Sequence, residues 1–381
     1  LIEKNLGEIK WRIAARPNDT FVIMSMDGDS MGRWISGANN PTIGESVHEE
    51  VKSKLSEDFL NMKRGQSPAN HAFISRTLSS YALRIVKKIV EEEYCGKIVY
   101  VGGDDIMAFL PPEDAFEIAM RLREEYSREW SAVSVEGRNK PIVMLGMGHK
   151  ATSSISLMCA HYMFHLSDAI KKSREMLKKA KDYKKGWEKD AIYVALYSRI
   201  GEIAKMDSPV HLIYPDPTKY PIFAHEKLWR GVSVLKNTNR LRWLITSMGQ
   251  GKGHKSPLID ALELSQLIKG ISRKHCVSRR LLYELMNEAE FLEELSDIKS
   301  EEYLRRDFPS DIVRMEFRRI IRRHTRICED IKNKEAVHKQ FIDKLTDVLF
   351  YWYSEGCFKN VITLSKIADS LLGDVVWVGS P

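Results

Sequence analysis

Five cysteines in 381 residues, none in a Cys-x-x-Cys pair, argue against a zinc site or a disulfide framework and fit a reducing compartment. No apolar run is long enough to span a bilayer, and no secretory leader pattern opens the chain. A membrane role is therefore not expected, and a cytoplasmic location is. The sequence has no internal repeat, no low-complexity tract and no His-Asp doublet. Aromatics are scarce around the arginine-rich segment 312–326, so base stacking is not suggested there. The first residue is Leu rather than Met, which suggests a fragment of a longer protein.

What is present is ordinary in bulk and specific in two places. The composition, 43% hydrophobic and 29% charged with a net charge of +7, is that of a globular chain long enough for two or three domains. Two short acidic clusters sit at the ends of apolar, strand-like runs. Asp27-Gly28-Asp29-Ser30-Met31-Gly32 follows Phe21-Val22-Ile23-Met24-Ser25-Met26. Gly102-Gly103-Asp104-Asp105 lies between Lys97–Val101 and Ile106–Leu110, as the turn of a hairpin. A lone Gly-Gly-Asp-Asp reads most simply as a solvated turn. Apolar strands on both sides, and a second acid cluster ending another apolar strand, change that reading.

Asp27, Asp104 and Asp105 are expected to converge and to repel one another unless a divalent cation neutralises them. Oxygen ligands of this kind suit Mg²⁺ or Mn²⁺ in a two-metal site, with substrate phosphates completing the shell. This is the layout of a nucleotidyl-transfer palm. Asp27, Gly28, Asp104 and Asp105 are the candidate metal positions, and the three aspartates the candidate catalytic ones. Gly28 and Gly32 would let the backbone approach a ligand, and the amides of Asp29, Ser30, Met31 and Gly32 would hold a triphosphate. Gly102 and Gly103 complete the expected nucleotide site. His161 and His165, four apart but after a strand-like segment, read as incidental. Lys178 and Lys179 read as a solvated face.

The fold class expected is α+β: a ferredoxin-like palm with helices on one face of its sheet, followed by an all-α C-terminal domain. Boundaries fall at 1–206 for the palm, 207–223 for a Pro- and Tyr-rich linker and 224–381 for the helical part. Ser46–Leu60 reads as one helix with Val47, Val51, Leu55 and Phe59 on a stripe. Ser67-Pro68 opens a helix carrying Ile74, Leu78, Tyr81, Ala82, Ile85 and Ile89, and Ser256-Pro257 opens another. A helix opened by Ser310-Asp311 carries Val313, Phe317, Ile320 and Ile321 at core spacing. Arg314, Arg318 and Arg322 form a row on it, suited to a solvated face, an acidic partner or an RNA backbone. Ile342, Leu345, Val348, Leu349 and Trp352 share one face of a later helix.

The run Met26-Asp27-Gly28-Asp29-Ser30-Met31-Gly32-Arg33-Trp34-Ile35-Ser36-Gly37 resembles the large subunit of type III-B CRISPR effector complexes, the Cmr-type polymerase/cyclase-like subunit. Val99–Pro111 looks like its second palm hairpin, and Ser154–His161 like the strand that follows, a resemblance that implies Ser154 belongs to the nucleotide site. Lys181 falls where the related GGDEF cyclases keep a phosphate-contacting lysine. The resemblance implies an ATP-binding palm that makes cyclic oligoadenylates in antiviral defence. Its implied partners are other Cmr-type subunits and, through the complex, guide RNA and target RNA. The HD nuclease and first palm common in such subunits have no counterpart in this sequence. Ser156, where Gly is usual, and His165, where Pro is common, are both expected near the nucleotide pocket. The alternatives are a diguanylate-cyclase-like enzyme and a catalytically silent nucleotide-binding scaffold.

Overall fold

The computed structural model describes residues 19–128, 130–133, 142–148, 150–182, 189–207, 209–212, 275–278, 280–297, 308–327, 334–354 and 356–371, with the isolated positions Ala261 and Leu264. The expected helix start at Ser256-Pro257 lies outside them.

The central strand β1 (Thr20–Gly28) is nine residues long, with Val22, Ile23, Met24 and Met26 wholly buried. A run that is apolar on successive residues, not alternate ones, is the pattern of a strand covered on both faces. Four short helices follow: α1 (Met31–Ile35), α2 (Ile43–Ser46), α3 (Glu49–Lys52) and α4 (Glu57–Asn61). The single helix expected over Ser46–Leu60 is thus broken. Thr42, His48 and Ser56 each accept a backbone N–H at a new helix start, and Val51 and Phe59 are exposed. Local capping outcompetes a weak apolar stripe that has no partner to bury it.

Helix α5 (Pro68–Ser80) begins as expected, with the Ser67 hydroxyl accepting from the Asn70 amide and Pro at the first turn. It continues as π-helical turns, Tyr81–Val86 and Lys88–Glu93. All six residues of its expected apolar face are buried. The hairpin β2 (Lys97–Gly102) and β3 (Asp105–Leu110), helix α6 (Ala115–Tyr126), and a separate pair β4 (Trp130–Val133) and β5 (Ile142–Leu145) come next. Strand β6 (Ser153–His161), helix α7 (Leu166–Lys181), and strands β7 (Ala191–Tyr197), β8 (Glu202–Lys205) and β9 (Val210–His211) complete the sheet.

The sheet runs β2-β3-β1-β6-β7-β8, with β9 also on β7. Only β6 and β7 pair in parallel, joined by α7; every other pairing in it is antiparallel. Helices cover both faces rather than one. Met26 Sδ accepts from Tyr81 of the α5 extension, while its neighbour Ser25 bonds Ser173 of α7. Successive strand residues point to opposite faces, so these helices lie on opposite sides. β9 lies within the segment read as a linker.

Beyond the palm, β10 (His275–Val277) pairs with β11 (Thr325–Ile327) among helices α8 (Arg280–Asp297), α9 (Phe308–His324), α10 (Lys334–Ser354) and α11 (Phe358–Leu371). Among the described residues the region is helical with this one small antiparallel addition. Helix α9 starts at Phe308, two residues before the expected Ser310-Asp311, which sit in its first turn. Its core residues Val313, Phe317, Ile320 and Ile321 have no exposure, and Ile342, Leu345, Val348, Leu349 and Trp352 of α10 are buried as expected. None of the described helices is long and apolar enough to cross a membrane.

Candidate functional site

The site forms where β1 ends beside the β2–β3 turn. Gly102 pairs with Asp105, leaving Gly103 and Asp104 as a two-residue turn with φ +74° at Gly103. A positive φ at the first central position favours Gly, and Asp104 takes the second. Because β3 lies antiparallel to β1, with Met26 opposite Ile106, this turn stands next to Asp27. The two carboxyls come within hydrogen-bonding reach.

Burial pushes the Asp104 carboxyl up, and the Asp27 charge adds to the effect; its own backbone N–H pulls the other way. Asp105 is raised by burial first and then by Asp27. Among the described residues, however, no group of three or more His, Cys, Asp or Glu side chains is gathered closely enough to hold a metal ion. The three-carboxylate convergence expected from sequence is therefore a close pair, Asp27 and Asp104, with Asp105 acting as a neighbouring charge.

Lys181, at the last turn of α7, completes the arrangement. Its ammonium bonds Asp27 Oδ2 and donates to the Gly28 carbonyl at 3.1 Å. It reaches there because α7 packs closely on the sheet through small residues. The Ser25 and Ser173 hydroxyls are 2.8 Å apart, Ser156 donates to the Ser173 carbonyl at 2.9 Å, and Ala169 and Ala180 are buried on the same face. Ser156 is thus a packing contact under α7. His165 precedes the first residue of α7, 16 residues long and so about 24 Å from end to end, and lies at the far end from Lys181. Neither lines the carboxylate pair, contrary to the sequence expectation.

Gly28 is required by crowding. A Cβ there would overlap the Tyr126 hydroxyl and stand 2.9 Å from the Asp104 Cβ. Tyr126 is buried beneath the site and donates to Met31 Sδ at 3.4 Å. Burial, with the charges of Asp104, Asp29 and Asp27, raises its phenol far above the usual range. Gly32 lies in open space, with nothing within 4 Å of a Cβ position.

Asp29 and Ser154 have different places from those expected. The Asp29 amide donates to the Thr152 carbonyl, so it is not free for a phosphate. Its buried carboxylate accepts from Ser154 Oγ (2.8 Å), Thr152 Oγ1 (2.9 Å) and the Asp190 amide (2.9 Å). Burial still raises its pKa against these bonds. Asp190 is in turn gripped by Arg123, through Nε at 2.7 Å and Nη2 at 2.5 Å. Asp29 and Ser154 are therefore a strut that fixes the turn after β1. Thr152, Asp190, Arg123 and Tyr126 escaped the sequence reading. Arg123 alone carried a signal: a cation on the apolar stripe of α6 needs a buried partner.

The donors around Asp27 fit a hard cation. They are all oxygen, from Asp27, Asp104 and the Gly28 carbonyl, and the Lys181 ammonium already stands as a cation on two of them.

His161 and His165 form no pair on a helix. The His161 ring accepts from the Met163 amide and His165 Nδ1 lies 2.8 Å from Ser167 Oγ.

Residues 20–193 match the family described as Cas10/Cmr2, second palm domain. Over 186 residues, 49% of this chain, the sequence is 31% identical to the CRISPR system Cmr subunit Cmr2 of Pyrococcus furiosus. The matched stretch is 19% of that relative's length. Among solved structures, a chain of the Type III-B Cmr-beta bound to cognate target RNA matches 90% of this chain and is 41% covered, at 14% identity and a TM-score of 0.47. The apo state of Type III-B Cmr-beta gives 90% and 40% coverage, 13% identity and 0.45. Over residues 20–193 this chain is thus similar to the second palm domain of Cas10/Cmr2, and these likenesses support a Cmr2-type large subunit, of whose curated relative it spans about a fifth.

Proposed function

We propose that this palm binds ATP with Mg²⁺ or Mn²⁺ and, within a type III-B effector complex, contributes to making cyclic oligoadenylates for antiviral defence. The observation that carries the reading is the Asp27–Asp104 pair bridged toward Gly28 by the Lys181 ammonium. Asp27, the Gly28 carbonyl and Asp104 would hold the metal, with Asp105 adding charge. A bound divalent ion would stabilise the phosphates and lower the pKa of an attacking ribose hydroxyl. Lys181, released from Asp27, would donate to a phosphate oxygen. The open side of Gly32 leaves the start of α1 approachable by the triphosphate. Other Cmr-type subunits, guide RNA and target RNA are the proposed partners, and the cytoplasm the proposed location.

One observation favours a silent nucleotide-binding scaffold as the second reading: Lys181 already neutralises Asp27 without a metal. Calorimetric titration of ATP with and without Mn²⁺, on the wild type and on Asp27→Asn, tests the binding proposal. Metal-dependent binding that is lost in the variant is the expected result. Equal ATP affinity in both proteins would overturn it. A turnover assay in the assembled complex then separates the cyclase from the scaffold.

A further inference from the structure

Three of five successive residues at the β6–α7 turn are large, apolar and open: Tyr162 (65% exposed), Met163 (50%) and Leu166 (50%). Phe164 between them is partly buried, its ring 5.5 Å from that of Tyr197. Because β7 runs parallel to β6, with Tyr197 opposite Ala160, the β7–β8 turn stands at the same end of the sheet and adds Ile200, 97% exposed. Apolar residues gathered in this way, unlike single scattered ones, mark a surface that something covers. The patch is remote from the carboxylate pair. Strand β6 lies opposite Gly28 at Ser153 and opposite Thr20 at His161. Eight steps of about 3.3 Å therefore separate the patch from the end of β1 that carries Asp27, roughly 26 Å in all.

The chain itself passes this place. The Tyr162 amide donates to the Asp19 carbonyl at 2.8 Å, so the sequence ahead of Asp19 enters β1 beside the patch. That sequence carries Ile2, Leu6, Ile9 and Ile13, spaced four, three and four residues apart. On a helix these fall on one narrow stripe, with Glu3, Lys4, Glu8, Lys10 and Arg12 on the other sides and Trp11 opposite. Pro17 sets a stop and, with Asn18, leaves a short link to Asp19. A helix over 2–13 is about 18 Å long. The width from β1 across β6 and β7 to β8 is three strand spacings, about 14 Å, so such a helix can cross this end of the sheet. A helix this short is marginal alone in water and needs a surface for its stripe. The short link keeps stripe and patch at high effective concentration, which favours this occupant over a second copy or a separate subunit.

We propose that residues 2–13 form an amphipathic helix that lays Ile2, Leu6, Ile9 and Ile13 on the patch of Tyr162, Met163, Leu166 and Ile200. The helix covers the end of the palm sheet away from Asp27 and fixes the direction from which the chain enters β1.

The test uses the full chain with Met163 replaced by the photo-crosslinking residue p-benzoylphenylalanine. After irradiation, mass spectrometry should find the link within residues 1–16 of the same molecule, with no doubling of mass on a denaturing gel. Combining Leu6→Glu with Ile9→Glu should cut the yield by about tenfold or more, since two apolar side chains leave the contact. Lys4→Glu with Glu8→Lys, on the opposite side of the helix and neutral in net charge, should leave the yield unchanged. Moving the crosslinker to Ile9 should label residues 161–166 or the 198–201 turn, which tests the contact without any charged substitution. Links from position 163 to a second copy only, or to a site outside 1–16, would overturn the proposal. So would a yield indifferent to the Leu6/Ile9 variant. Circular dichroism melting of each variant keeps folding apart from docking.

Discussion

The Lys181 ammonium rests on the Asp27 carboxylate, joining the last turn of α7 to the end of the central strand, and also donates to the Gly28 carbonyl at 3.1 Å. The contact places a protein cation among oxygens that would suit a metal. Replacing Lys181 by Met should therefore act in opposite directions on two ligands. Mn²⁺ alone should bind more tightly, since it no longer competes with the ammonium. ATP with Mn²⁺ should bind more weakly, by about tenfold, for loss of a charge-assisted bond. Manganese electron paramagnetic resonance and ATP titration would read the two effects; a change of the same sign in both would sink the assignment.

The raised carboxyl of Asp104 has a consequence for stability. Its folded pKa lies above its unfolded one, through burial and the Asp27 charge. The folded state then binds the proton more strongly, so the group's stabilising contribution is present below the unfolded pKa and is lost as pH rises through the folded pKa. Asp104→Asn removes that loss. Its melting temperature should exceed wild type at pH 7 and converge on it in acid. A variant less stable than wild type at pH 7 would show that Asp104 holds the turn together instead.

Gly28→Ala should be destabilising by about 1–3 kcal/mol, because its methyl group collides with Tyr126 and Asp104. Removing the Tyr126 hydroxyl relieves part of the collision. Gly28→Ala should therefore cost less in the Tyr126→Phe background than in the wild type. Denaturant unfolding measures this cycle, and strict additivity would contradict the crowding.

The Arg123–Asp190 pair is largely buried, at 7% and 16% side-chain exposure. Breaking one side leaves an uncompensated charge, so Arg123→Met should cost about 3–5 kcal/mol. Asp190→Asn in the same background should restore part of it. Chemical denaturation of the single and double variants would decide, and a loss below 1 kcal/mol (~1, the surface-pair range) would mean the pair behaves as exposed.

The arginine row of α9 is tied to the neighbouring helix. Arg314 bonds Asp347 at 2.5 Å and Arg318 lies 3.2 Å from Asp343, both carboxylates on α10, while Arg322 is exposed. A row read from sequence as open to RNA or a partner is, at two of its three positions, an interhelical clasp. These pairs are partly exposed, so a double-mutant cycle of Arg314→Ala with Asp347→Ala should give a coupling of about 0.2–1 kcal/mol. No measurable coupling would return Arg314 to the free surface.

The sequence by itself determined most elements of the palm, though not the breaks within 46–60 or the strand β9, and where β1 and the hairpin end. β1 shows as a continuous apolar run because both its faces are covered, and the hairpin shows because Gly readily adopts the positive φ at 103. Asp27 and Asp104 were legible for the same local reason: each stands at the end of such a strand. The core faces of α5, α9 and α10 followed from spacing alone. Only the tertiary structure decided how the charges are distributed. Asp29 and Asp27 are two residues apart in one motif, yet one is a buried strut held by Ser154, Thr152 and Asp190 while the other meets Lys181. Partners 123 to 161 residues distant in the chain make that difference, and no local pattern encodes them. The arginine row shows the same limit. Helical spacing places Arg314 and Arg318 on one line, but whether that line faces solvent or Asp347 and Asp343 depends on where α10 packs.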